Sequence, residues 1–259
     1  MKRFDSIFFG GTGWNLLWSF GVSKKLHELG FKNYVNKVGA ISAGCMSALA
    51  FLDAADYEIG IVQSEQLHKQ KYFLSIEFRK KFRYFFEGFA NKDPLIDIKN
   101  SGCDFYSCYL KINDFPKTEL KLRNDFIDKD DLLTTCLAGC YVPLIFGVEP
   151  NIIGIPILQN GDFAVDAGCA GSSTYRWNEK TLLVSPNEKM SDTIIGGNLS
   201  VLSTIGFRGK SLNDKQLFLK GYMDASKWYA EYFLHENSWR NQEHWYKKLE
   251  DYDLFKKRF

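Results

Sequence analysis

The sequence predicts an α/β fold with a parallel central sheet. Two strand–turn–helix units follow one another near the amino terminus, and such units favour parallel strands that are connected through helices. Hydrophobic residues make up 45% and charged residues 25% of the 259 residues, a balance that is typical of a globular protein with a substantial core.

The first unit contains a short apolar strand at residues 7–9. A glycine-rich segment at residues 10–13 follows it, as expected for a buried strand that ends in a turn. Residues 14–29 then carry apolar side chains at helical spacing, and Gly30 is a typical helix terminator. The second unit has a predicted strand at residues 34–41 and a helix at residues 42–54, where small residues and leucines indicate close packing on a sheet.

The rest of the chain continues the mixed pattern. Helices are predicted at residues 75–86, at 131–138 and from 215 onward, and strands within residues 103–122, 152–168 and 181–184. Asn160-Gly161 is a favoured hairpin pair inside the second of these strand regions. Because no repeat or linker interrupts the pattern, we predict a single domain over residues 1–259, with its motifs at about 5–170 and a helical part at about 213–259.

Composition excludes several classes of function. The net charge is only +2, with 33 basic and 31 acidic residues, so nucleic acid is not expected as a partner. The six cysteines form no C-x-x-C pair and have no matching histidine cluster, so we expect reduced, buried thiols and no metal site. The amino terminus lacks the apolar run of a signal peptide, and no uncharged stretch reaches the ~20 residues of a membrane span, which predicts a cytoplasmic protein.

A serine stands between the second predicted strand and its helix. Ser42 is flanked by Ala40 and Gly44, small residues that let the two backbones approach closely at a sharp turn. A serine in such a turn is held with its hydroxyl exposed at the carboxyl edge of the sheet, where it acts as a nucleophile. The pattern A-x-S-x-G is a relaxed form of G-x-S-x-G, and a serine in a plain, tightly packed turn is the alternative interpretation.

A glycine-rich loop follows the first predicted strand. At Gly11, Thr12 and Gly13, successive N–H groups point toward one place, and the helix that follows adds the dipole of its amino terminus. Such a loop stabilises the oxyanion in acyl transfer. Phosphate binding is a second interpretation, although the dinucleotide pattern G-x-G-x-x-G lacks its third glycine here. A plain tight turn is the third.

A serine nucleophile needs a base, and the histidines are poorly placed to supply one. They lie in polar segments and none follows a strand-end loop: His27, His68, His235 and His244. Asp166 ends an apolar run and precedes Ala167 and Gly168, which places a carboxylate at a strand end on the same edge as Ser42. Because the reference pKa of aspartate is about 3.9, this carboxylate works as a base only in a desolvated site. A turn carboxylate at a hairpin end is the alternative.

Together these motifs resemble those of the patatin-like phospholipases. That family has a glycine-rich oxyanion loop near the amino terminus, a G-x-S-x-G turn after it, and D-G-G or D-G-A well downstream. This chain has the same order: Gly11-Thr12-Gly13, then Ala40-Ile41-Ser42-Ala43-Gly44, then Asp166-Ala167-Gly168. The segment AGCYVPLIF at residues 138–146 also resembles a family segment with alanine, a Val/Ile-Pro pair and phenylalanine.

The resemblance implies a three-layer fold, with a mostly parallel central sheet and helices on both faces. It further implies that a Ser42–Asp166 dyad hydrolyses phospholipid or acylglycerol esters through an acyl-enzyme, without metal or cofactor. The chain departs from the family pattern at Ala40, at Ala167 and at Asn15-Leu16, where the family has a basic residue and then a glycine. A catalytically weak or inactive protein that binds lipid or a partner is the alternative function.

The carboxyl-terminal region, residues 222–259, mixes tryptophans and tyrosines with lysines and arginines. A helix of this composition can lie on a membrane surface, so peripheral membrane contact is one expectation. Packing of one face on the domain, with the other face solvated, is the alternative. The oligomeric state stays open.

Overall fold

Seven strands form one central sheet in the computed structural model, which describes residues 4–68, 76–142, 157–171, 174–200 and 213–233. The strands are β1 Ser6–Phe9, β2 Lys37–Ile41, β3 Asp104–Lys111, β4 Glu119–Arg123, β5 Ala164–Val165, β6 Thr181–Ser185 and β7 Ile194–Gly196. Their order across the sheet is β4-β3-β2-β1-β6-β7, and β5 pairs with β3.

The sheet is mostly parallel, as the sequence predicts. β1 pairs in parallel with β2 and β6, and β2–β3 and β6–β7 are parallel as well. Among the strands of the described residues, β4 and β5 pair with β3 in the antiparallel direction. The carboxyl ends of β1, β2, β3 and β6 therefore meet at one edge, where ligands bind in open α/β sheets.

Helices flank this sheet. They are α1 Leu16–Glu28, α2 Gly44–Phe51, α3 Tyr57–His68, α4 Ile76–Phe89, α5 Pro94–Asn100, α6 Lys129–Gly139 and α7 Asp214–Trp228. A short π-helical turn, Tyr229–Phe233, continues α7. Among the helices of the described ranges, none is long and apolar enough to cross a membrane.

Alternation along the strands divides the core between the two faces of the sheet. Ile7 and Phe9 of β1 and Val38 of β2 pack with side chains of α1, α2 and α7 in the larger apolar cluster. The intervening Phe8 points to the opposite face, where it contacts the rings of Tyr175 and Trp177. Both faces of the central strands are thus buried, which explains why these strands read as continuous apolar runs.

α1 and α7 cross at two glycines. A Cβ built on Gly21 would lie 2.0 Å from the carbonyl oxygen of Phe218, and one on Gly221 would lie 1.8 Å from that of Trp18. The helix backbones are therefore in direct contact at this crossing. The indole N–H of Trp18 donates to Asp224 Oδ2 at 2.7 Å beside it.

Several predicted boundaries shift for local reasons. α1 begins at Leu16 because Gly13–Asn15 forms a 3-10 turn, and β2 begins at Lys37 because Phe31–Tyr34 is a second such turn. In the predicted hairpin region, the described part contains β5 and an isolated bridge between Ile157 and Phe163. Predicted structure at residues 152–156 and 234–259 falls outside the described residues.

β5 lies in line with β2. β4 already occupies one edge of β3 at Leu110 and Lys111, so β5, which pairs with the same two residues, must lie on the other edge. β2 occupies that same edge of β3 closer to the amino end of β3, as far as the pair Ile41–Cys108. β5 therefore fills the space beyond the end of β2 and runs toward it.

Candidate active site

Ser42 lies in the sharp turn between β2 and α2. Its φ of 56° is in the left-handed region, which a side-chain-bearing residue adopts only at a cost of about 1–3 kcal/mol. The turn also needs Gly44, because a Cβ there would lie 2.4 Å from the carbonyl oxygen of Gly10 and 2.5 Å from that of Phe9. This is the strained strand-to-helix turn that the sequence pattern predicts.

Ala40 is accommodated because its methyl group faces the helical side of the sheet. It is fully buried in the larger apolar cluster. The neighbouring Gly39 has no such space, since a Cβ there would lie 2.5 Å from Trp177 Cη2 and 2.6 Å from Phe8 Cδ2. The requirement for glycine at this strand end therefore falls on position 39.

Asp166 meets Ser42 directly. Ser42 Oγ donates to Asp166 Oδ2 at 2.5 Å, and both residues are buried. The backbone N–H of Gly168 donates to the other carboxylate oxygen at 2.8 Å, and the Asp166 N–H donates to the Tyr141 carbonyl at 2.8 Å. The position of β5 explains this contact. β5 lies beyond the end of β2 and runs toward it, so Asp166, which follows Val165, lies next to Ser42, which follows β2.

Burial makes Asp166 a better base than an exposed aspartate. Desolvation raises the pKa of its carboxyl, although the hydrogen bonds from Ser42 and the Gly168 N–H partly oppose this. A raised pKa increases the affinity of this carboxylate for a proton. Asp166 therefore lies in a desolvated site, which an aspartate needs in order to act as a base.

The glycine-rich loop lies next to this turn. β1 and β2 are adjacent, with Phe9 opposite Ala40, so the two strand ends are neighbours. The N–H of Gly10 donates to the Val184 carbonyl at 2.8 Å and fixes the start of the loop. Within the described ranges, the N–H groups of Gly11 and Thr12 donate to no protein acceptor. They are therefore available to an oxyanion.

The end of α6 encloses the dyad, and sequence reasoning did not assign it to the site. A Cβ on Gly139 would lie 4.0 Å from the Ser42 nitrogen, and Cys140, the next residue, is buried. Tyr141 supplies the carbonyl that holds Asp166. The only signal in the sequence was the likeness of residues 138–146 to a family segment.

A polar cluster fastens the hairpin that leads to Asp166. The hydroxyl of Tyr109 donates to Asp162 Oδ2 at 2.6 Å, and Lys111 Nζ lies 2.9 Å from Asp162 Oδ1. The side-chain amide of Asn160 donates to Tyr109 and to Asp162, at 3.3 and 3.2 Å. Burial raises the pKa of Asp162, but the hydrogen bonds from Tyr109 and Lys111 outweigh it and hold that pKa below its ordinary value.

The other residues considered from the sequence do not join the Ser42–Asp166 pair. His27 pairs with Asp53, with 2.7 Å between Nε2 and Oδ1, and is remote from the Ser42 turn in the contacts it makes. Asn15 and Leu16, which follow the glycine-rich loop, are both buried. In the part of the chain that is described, no group of histidine, cysteine or acidic side chains has the arrangement of a metal site.

The chain has distant structural similarity to known proteins but no match in sequence. No family model matches the chain, and no curated protein matches it. Among solved structures, the chain is similar to VipD from Legionella pneumophila, with a TM-score of 0.48 and 10% sequence identity over 89% of this chain and 67% of that one. A likeness this distant does not identify a family.

Proposed function

We propose that this chain is a serine hydrolase that cleaves carboxylic ester bonds of lipids, with Ser42 as nucleophile and Asp166 as its base. The observation that carries the proposal is the 2.5 Å hydrogen bond from Ser42 Oγ to Asp166 Oδ2. It connects a serine in a strained strand-to-helix turn with a desolvated carboxylate, which is the pairing that activates a nucleophile.

The reaction follows from these positions. Ser42 Oγ attacks the ester carbonyl carbon while its proton passes to Asp166. The N–H groups of Gly11 and Thr12 donate to the oxyanion, and collapse of the tetrahedral intermediate breaks the bond to the alcohol, which leaves with the proton from Asp166. Water then attacks the acyl group on Ser42 and gives a proton to Asp166, which returns it to Ser42 as the carboxylic acid departs.

One observation favours lipid esters over other esters: the order of the motifs resembles that of the patatin-like phospholipases.

Labelling with a fluorophosphonate probe tests the nucleophile. We expect stoichiometric labelling of the wild type, none of Ser42→Ala and slow labelling of Asp166→Asn, because the last variant lacks the base. Ser185→Ala is the matched control: it ends the parallel strand β6 at the same edge, and in the described structure its hydroxyl has no carboxylate partner. It should label like the wild type.

The same experiment distinguishes the proposed hydrolase from the alternative, a protein that binds lipid or a partner without catalysis. A folded wild-type protein that does not react with the probe would leave a lipid- or partner-binding protein as the better interpretation. Labelling that persists in Ser42→Ala would place the reactive residue elsewhere and remove the proposed dyad.

A further inference from the structure

An apolar surface lies at the outer end of β3, beside the candidate active site. Cys108 of β3 pairs with Ile41, the residue before Ser42, and the chain continues outward from there. At about 3.3 Å per residue, Ile112 lies roughly 13 Å beyond that pair. We use the name β3 tip for the apolar residues Ile112, Phe115, Ile157 and Phe163.

Hydrogen bonds hold the β3 tip together. The Ile112 N–H donates to the Phe163 carbonyl at 3.0 Å, and Phe163 forms a bridge with Ile157. The Phe115 N–H donates to the Ile112 carbonyl at 3.2 Å. The amide side chain of Asn113 adds bonds to the Gly161 carbonyl and the Phe163 N–H, at 3.0 and 2.8 Å. The side chains are therefore presented from an ordered backbone.

Two large apolar side chains of the β3 tip are exposed. Phe115 is 79% and Ile157 is 60% exposed, and Ile112 and Phe163 are half-buried. Single exposed apolar residues are common, but two on hydrogen-bonded backbone segments that project past the active-site edge indicate an interaction surface.

The charges around the β3 tip balance one another. Lys111 pairs with Asp162, and Lys121 pairs with Glu119 at 2.7 Å. The opposite charges of Asp114 and Lys117, which lie on either side of Phe115 and Pro116, also sum to zero. A surface that is apolar and without net charge matches an uncharged apolar phase better than an acidic or basic partner.

We propose that the β3 tip inserts into the surface of a lipid aggregate and brings that surface to Ser42. The inference rests on the proposed function, because a lipid ester substrate lies in such an aggregate. Phe115 and Ile157 enter the acyl region between head groups, and the carboxyl edge of the sheet then faces the lipid. Since the charges of the described residues around the β3 tip balance, zwitterionic lipid is sufficient.

Co-sedimentation with vesicles of diether phosphatidylcholine tests docking apart from chemistry, because these lipids have no carboxylic ester bond. We expect the double variant Phe115→Ser/Ile157→Ser to bind at least tenfold more weakly than the wild type, from the loss of two buried apolar side chains. The matched control is Ile96→Ser. Ile96 is 54% exposed on α5, which leads into the amino end of β3 at the opposite edge, so binding should be unchanged.

Hydrolysis of a water-soluble short-chain ester separates the two proposals. The double variant should retain wild-type turnover of that ester, which also shows that it folds. Equal vesicle binding by wild type and double variant, or none by the wild type, overturns the docking surface. So does a wild-type dimer that the double variant loses, because the tip would then join two copies. Vesicle binding without any ester hydrolysis would instead refute the proposed function and leave the surface standing.

Discussion

The candidate site depends on two residues that are each unfavourable on their own. Ser42 has a left-handed backbone, and Asp166 is a carboxylate removed from water. Each cost persists only because surrounding contacts fix the residue: Gly44 admits the close approach of α2, and the N–H of Gly168 stabilises the charge. Such local costs are found mainly where a protein performs chemistry.

Asp166 should set the acidic limit of activity. It must be ionised to accept the proton of Ser42, and burial raises its pKa above the ordinary value of 3.8. We therefore expect kcat/KM for a short-chain ester to fall on acidification with an apparent pKa above that value. The measurement is a pH–rate profile of the wild type beside Asp166→Asn, which should show low activity without this acidic limb. An acidic limb at or below 3.8 would contradict the assignment.

The same shift predicts a change of stability with pH. Because the folded state binds this proton more tightly than the unfolded chain, the contribution of Asp166 to stability is fully present below the unfolded pKa. It is lost as the pH rises through the folded pKa. Urea unfolding across that window should show the loss in the wild type and not in Asp166→Asn.

At the scale of elements, the hairpin before Asp166 is held by its polar contacts to β3. Tyr109, Lys111 and Asn160 all bind Asp162, and β5 itself consists of only two residues. A two-residue strand is too short to define its own position, so the side-chain bonds fix the direction in which the chain reaches Asp166.

Removing one of these bonds should affect catalysis as well as stability. In Tyr109→Phe the lost hydrogen bond should lower the free energy of unfolding by about 1 kcal/mol. We expect kcat to fall several-fold at unchanged KM, since Asp166 is displaced and the substrate surface is not. Tyr106→Phe is the control on the same strand, because its hydroxyl has no hydrogen-bond partner within the described structure. A matching loss of kcat in Tyr106→Phe would argue against the positioning role.

The crossing of α1 and α7 should tolerate no side chain. Gly221→Ala would place a Cβ 1.8 Å from the Trp18 carbonyl oxygen, so the helices must separate. We expect the free energy of unfolding to fall by about 3 kcal/mol or more. Gly88→Ala is the matched helical control: its Cβ would meet only the flexible end of Gln63, at 2.9 Å. Chemical denaturation should find that control neutral or more stable, through better helix propensity.

At the scale of the whole molecule, the state of the cysteines predicts that a reductant does not change thermal stability. Five of the six are free and buried: Cys45, Cys103, Cys108, Cys136 and Cys140. Burial also raises the pKa of Cys108 to about 12, which keeps its thiol protonated and unreactive. Thermal unfolding should occur at the same temperature with and without dithiothreitol. A lower temperature with reductant would reveal a disulfide.

The sequence predicted most of the parallel sheet, because buried parallel strands leave a strong local signal of apolar runs bounded by glycine. It also placed Ser42 and Asp166 at strand ends. It could not predict the contributions of Gly139 and Tyr141, since these depend on where α6 ends in space. Nor could it predict that Gly39 rather than residue 40 needs to be glycine, because that follows from the position of Trp177 in the opposite layer.

The placement of β5 beyond the end of β2 makes the order of synthesis matter. The serine turn is made early, but its carboxylate partner lies 124 residues later in the chain. Until that later segment has left the ribosome and paired with β3, Ser42 lacks its carboxylate partner. On the proposed mechanism, a chain that ends before β5 therefore has no activated serine and does not hydrolyse lipid esters.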